Sequence, residues 1–289
     1  MGTAATGDVQ FTDTWRDTTL SSFPALDLGN GKFFNGAWRD CDELTSFPSD
    51  IKLGTNKTGL AFPDTWRGSG LASFPALDLS TGAFFNSAWQ GCSALTSFPA
   101  GAKLGTSASN VNFTSAWESS GLTSFSTPLP TAIKVLQAWN GCTSLTIFTS
   151  DLSSVTDARI GWTNSGLLSF TTAMPVVGRV DRAWQNNTSL TDFSANVFAN
   201  WNPSSITSGV FNLTWDGCTA LTAQSVENIL TSIDASGKYA TTNGASGGTA
   251  LGDAAIDIDY NTATGTPAYS TLASLKAKGW SIIVNNVTL

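Results

Sequence analysis

Histidine is absent from the sequence, which removes the side chain most used for proton transfer near neutral pH and a common zinc ligand. Charge is scarce too: Asp, Glu, Lys and Arg form 12% of the residues, with 14 basic against 21 acidic groups and a net charge of −7. An acidic chain without clustered Lys and Arg opposes the phosphate backbone, so nucleic acid is set aside as a partner. Long apolar runs are missing. Stretches such as Trp280–Val284 fall far short of the roughly 18–20 residues needed to span a bilayer. Met1–Gln10 has neither a basic start nor an apolar core and does not read as a secretory signal peptide. Cysteines number four, and no two of them form a C-x-x-C pair, so a zinc site is not expected. No G-x-S-x-G elbow occurs, and the carboxylates sit mainly in variable loops, where turn formation explains them. The expectation is a protein that is not an enzyme and carries no cofactor.

Repetition is abundant. Residues 14–24 (TWRDTTLSSFP) return as 65–75 (TWRGSGLASFP), and 37–48 (AWRDCDELTSFP) as 88–99 (AWQGCSALTSFP). Trp15, Trp38, Trp66, Trp89, Trp117, Trp139, Trp162, Trp184 and Trp215 mark successive coils, 22 to 31 residues apart. Odd coils place Leu five and Phe eight residues after Trp, as in Trp66, Leu71, Phe74 and Trp117, Leu122, Phe125. Even coils insert one residue, giving Trp38, Leu44, Phe47; Trp89, Leu95, Phe98; Trp139, Leu145, Phe148; and Trp184, Leu190, Phe193. An aromatic recurring in every coil reads as a core ladder rather than a sugar-stacking row. Cys41, Cys92, Cys142 and Cys218 each stand three residues after a tryptophan and belong to the same ladder. The first three lie two coils apart, roughly 10 Å at strand spacing and beyond the disulfide limit of about 7 Å. Four free, buried thiols are therefore expected.

Phe11, Phe34, Phe62, Phe85 and Phe113 precede a tryptophan by four residues, the spacing of one helical face. Gly70, Gly91, Gly121 and Gly141 would then end a short helical segment as C-caps, and LTSFP or LASFP would follow as a strand. The fold expected is an α/β repeat solenoid, a leucine-rich-repeat-like right-handed stack of about nine helix-plus-strand coils with a C-terminal α/β cap. The solenoid is assigned to residues 1–222 and the cap to 223–289.

The pattern A-W-x-G-C-x-x-L-T-x-F, here AWQGCSALTSF and AWNGCTSLTIF, resembles the BspA-like leucine-rich repeats and the related repeat of Mycoplasma surface lipoproteins and phage-borne proteins. The resemblance covers roughly residues 11–222 by the repeat criterion. Tryptophan stands where many bacterial members carry Phe, which places the chain nearer the lipoprotein and phage branch. The resemblance implies a solenoid and a surface role without naming a ligand.

Beyond residue 222 the register is lost. Val226, Ile229, Leu230 and Ile233 share a helical face, with Ser225 or Thr222 as cap candidates. A Gly/Thr/Ala-rich loop follows, then a strand in AAIDIDY, a helix in STLASLKAKG ending at Gly279, and a last strand in WSIIVNNVTL. The SVENIL and LKAKGW endings are similar to those after such repeats in phage proteins.

Trp201 lies outside the ladder, in the insertion ANWNPSSITSG, and is the one ligand-binding candidate, against loop packing. Asp257, Asp259 and Asn261 open like a calcium loop, but Ala263 and Ala268 stand where it needs ligands, so a strand with outward Asp is the reading. Asn56, Asn186, Asn212 and Asn286 are sequon-like by chance in an Asn/Thr-rich chain.

The function expected is a non-catalytic surface or virion adhesin, such as a phage tail-fibre receptor-binding module, outside the cell. Its partner would be a cell-surface protein or glycan. The alternatives are a virion-decorating, sheath or filament subunit whose partners are neighbouring subunits, and a carbohydrate-binding or carbohydrate-active protein. Because VQFTDTW already carries the repeat, more chain or a partner is expected to cover the first coil.

Overall fold

A computed structural model describes residues 8–55, 57–204, 206, 209–240 and 255–289. Successive coils pair in parallel, making a β-solenoid. Six short strands form its longest sheet: β1 (Val9–Gln10), β2 (Gly31–Phe33), β3 (Leu60–Ala61), β4 (Gly82–Phe84), β5 (Val111–Asn112) and β6 (Ala132–Lys134). A second side carries smaller parallel pairs, such as Ser124–Phe125 with Ile147–Phe148 and Ser169–Phe170 with Asp192–Phe193.

Among the described residues the expected helix of each coil is not found; the segment around each tryptophan is a run of overlapping turns. In coil five Ser115, Trp117 and Ser119 donate their N–H groups forward to the carbonyls of Leu136, Ala138 and Asn140, at 2.8, 2.9 and 2.8 Å. The intervening Ala116, Glu118 and Ser120 donate within the coil, three residues back, to Phe113, Ser115 and Trp117. The residues two before and two after each tryptophan take positive φ, for example Ser115 (55°) and Ser119 (56°), Gly36 (60°) and Asp40 (56°). Asp, Asn, Ser and Gly fill most of these places because short polar or absent side chains tolerate the left-handed region. Gly91 and Gly141 are such turn residues, not helix caps. Two four-residue turns in series return the chain to the same face after four residues, as a helix does, which explains the shared Phe-to-Trp spacing.

Stacking turns the repeated aromatics into columns. Neighbouring ladder tryptophans lie 5.0–5.8 Å apart between ring centroids, with planes 3–10° from parallel. Phe23, Phe47, Phe74, Phe98, Phe125, Phe148, Phe170 and Phe193 form a second column at 5.4–6.1 Å, nearly perpendicular to the tryptophans. Leu44, Leu71, Leu95, Leu122 and Leu145 fill the space beside them at 0% exposure. From Trp38 to Trp215 every ladder indole is fully buried, and each N–H lacks a hydrogen-bond acceptor. Apolar burial and ring packing therefore outweigh eight unpaired donors.

The C-terminal region closes the stack. Helix α1 (Ala223–Ala235) starts at Thr222, whose hydroxyl accepts from Ser225 N–H, and buries Val226, Ile229, Leu230 and Ile233. Strand β7 (Ala255–Ile258) continues the ladder past the ninth tryptophan through a Trp215–Ile258 bridge. Helix α2 (Leu272–Ala277) leads to β8 (Ser281–Val284), and the expected single last strand is a hairpin with β9 (Val287–Thr288). Asn285 and Asn286, both at positive φ, make its two-residue turn. The Gly/Thr/Ala-rich loop lies largely outside the described residues.

Candidate binding surface

The two-coil period builds a distinctive outer face on the six-stranded sheet. Each odd coil contributes two residues there and each even coil three, so the register shifts at Val9/Gln10, Leu60/Ala61 and Ala132/Lys134. Such a bulge bends the strand and re-aims side chains. The paired row runs Gln10, Phe33, Ala61, Phe84, Asn112 and Lys134, with Ala61 buried between the two Phe residues' positions, and isolated bridges extend it to Asp157 and Arg179. Phe84 is 48% exposed, unlike its inward neighbour Phe85 at 0%. With Asn110, Asn112, Ile133 and Lys134 it lines a shallow hollow of about 280 Å³. Lys32 lies over the Phe33 ring at 5.5 Å. The doubled Phe33-Phe34 and Phe84-Phe85 signal this surface in the sequence, because only one of two adjacent strand residues can face the core.

Further along the row Asp157 is 4% exposed and receives two hydrogen bonds from Arg159 at 2.9 Å, with Arg179 at 3.3 Å. This pairing raises the Arg159 pKa. One buried carboxylate thus holds two guanidinium groups where the bridges continue the row.

The four cysteines are free and buried. They share one position of the coil with Thr18, Ser69, Ser120, Ser165 and Asn187, alternating with the hydroxyl residues up to Cys142. Cys41, Cys92, Cys142 and Cys218 donate their thiols to the carbonyls of Trp15, Trp66, Trp117 and Trp184, each at 3.0 Å. Asn187 makes the same bond from its amide to Trp162. Burial pushes the Cys92 and Cys142 thiols up to about 11. In native protein a thiol reagent is expected to label none of the four within minutes, and after denaturation all four; rapid native labelling would contradict this packing.

Trp201 is not placed to meet a ligand. It is 1% exposed, its indole N–H donates to the Val177 carbonyl, and its ring packs on Phe198 and Phe211. Two of the calcium-like triplet are spent on backbone: Asp259 accepts from Gly217 N–H and Asn261 from Ala263 N–H. Among the described residues no three His, Cys, Asp or Glu are grouped to hold a metal. Burial, followed by the nearby Asp216 and Asp259, raises the Asp257 pKa. A raised carboxyl favours its neutral form on folding, so its contribution is retained at low pH and lost as pH rises through the folded value. Asp257→Asn should therefore raise the denaturation midpoint near about pH 7 and change it little near about pH 3. Asn186, Asn212 and Asn286 sit in turns, while Asn56 lies outside the described residues.

No family model and no curated protein matches the chain. Among solved structures the chain is similar to a leucine-rich repeat protein from Bacteroides ovatus, at 13% identity over 70% of this chain and 76% of that one. The TM-score is 0.23, too loose a superposition to transfer anything from that protein. No helix among the described residues is long and apolar enough to cross a membrane.

Proposed function

We propose that the chain is a non-catalytic binding module of a virion or cell surface, and that it engages a protein or glycan through the bulged sheet face around Phe84. The observation that carries this reading is the half-exposed Phe84 ring, set beside Ile133 and the polar ends of Asn110, Asn112 and Lys134. An aromatic anchor flanked by amide donors and acceptors suits either partner class. The core supports the same reading, since the stacked columns use nearly all other aromatics and leave recognition to the outer faces.

The test is binding of the purified full chain to producer and host cells, with Phe84→Ala alongside. A loss of affinity of at least about tenfold, the scale of a hot-spot residue, is expected. The free energy of unfolding should hold within about 0.5 kcal/mol, because the ring is on the surface. Unchanged binding by the variant would remove this face from the reading. Absence of cell binding together with concentration-dependent assembly would favour a structural virion or filament subunit instead.

A further inference from the structure

The first coil differs from its fellows at one position. Four residues after the tryptophan, odd coils three, five and seven carry Gly70, Gly121 and Gly166, where coil one carries Thr19. These glycines answer a need for space. A Cβ at Gly70 would lie 1.9 Å from the Asp42 carbonyl oxygen, at Gly121 2.1 Å from that of Ser93, and at Gly166 2.3 Å from that of Thr143. In each case the obstacle is main chain of the preceding even coil, at the residue that even coils insert between Trp and Leu. None of the three has positive φ, so backbone freedom does not explain the choice.

We propose that Thr19 is a steric stop that closes the first coil to an even-type coil stacked on it, such as one from a second copy. Thr19 is exposed, and by equivalence with Gly70, Gly121 and Gly166 its Cβ falls where an even coil would set its carbonyl. At the other end, the Trp215 and Gly217 N–H groups are already taken by the Asp257 carbonyl and the Asp259 carboxylate. Head-to-tail stacking of copies is therefore obstructed at both ends, and assembly is left to the sides. The Thr19 stop would bar a stacked coil and no other covering of coil one. It rests on the stacking geometry and not on the proposed Phe84 surface.

The experiment inserts a second copy of residues 8–58 ahead of Asp8 in the full chain, which sets an even coil against coil one in the register that Trp38 has on Trp66. Two forms are compared, one keeping the Thr19 of the original first coil and one with Thr19→Gly there. Hydrogen exchange is read at the inserted equivalents of Gly36, Trp38 and Asp40, the amides that would donate across the junction. At least about tenfold slower exchange is expected in the Thr19→Gly form. Equal protection in both forms would show that Thr19 stops nothing, and equal lack of it that some other feature refuses the coil; either overturns the proposal. In the unmodified chain, acrylamide access to Trp15 should be independent of concentration. Loss of access at high concentration would place a second copy on the first coil and overturn it too.

Discussion

Gly121→Ala is expected to destabilise the chain by about 3 kcal/mol or more, a large effect for one methyl group. The new Cβ would sit 2.1 Å from the Ser93 carbonyl oxygen and 3.0 Å from its carbon. Both are main-chain atoms, so no side chain can rotate away. The coils cannot simply part either, because Gly121 N–H reaches Cys92 and Thr123 N–H reaches Thr96 on either side of the contact. Alanine would gain only about 0.4–1 kcal/mol from its stiffer unfolded chain, which does not offset the clash. Gly101→Ala is the control: its Cβ would meet only the Ala76 methyl at 3.6 Å, an ordinary contact, and its effect should stay within about 1 kcal/mol. Denaturant titration of the two variants decides the matter, and equal midpoints would contradict the stacking geometry.

Trp117→Ala is expected to cost about 3–5 kcal/mol, the range for truncating a buried large aromatic. The ring lies between Trp89 and Trp139, both at 5.3 Å, and contacts Phe98 and Phe125 edge-on at 5.3 and 4.7 Å. Losing it breaks the tryptophan column and removes an edge contact from both Phe98 and Phe125. Trp117→Phe should cost markedly less, about 1–2 kcal/mol, since a ring remains in the stack and an unpaired buried N–H is removed. If the two substitutions were equally damaging, the indole N–H would have a partner that the packing does not show.

The coil period, the core columns and the free thiols were legible because each coil repeats the same residue at the same place. Trp117, Leu122 and Phe125 recur with their offsets, and a recurring apolar residue in a stack has only the core to occupy. Local conformation was less legible. The four-residue step from Phe113 to Trp117 fits both a helix and two consecutive turns, and what separates them is the destination of alternate N–H groups in the next coil. The clue lay in Asp13, Asp17, Asp40, Asn164 and Asn186, which favour left-handed turn positions and suit a helix interior poorly. The outer face was hidden for a different reason. Phe84 counts as one more aromatic until the even coils' extra strand residue is recognised as a bulge. Trp201 failed as a ligand candidate because leaving the ladder does not mean leaving the core: it packs on Phe198 and Phe211 beneath the cap.

The most direct measurement of the central claim is scalar coupling across hydrogen bonds in deuterated, isotope-labelled protein. Forward donation predicts a coupling from the Trp117 amide nitrogen to the Ala138 carbonyl carbon, and likewise from Ser115 to Leu136 and Ser119 to Asn140. A coupling from Trp117 to Phe113, the helical partner four residues back, would contradict it.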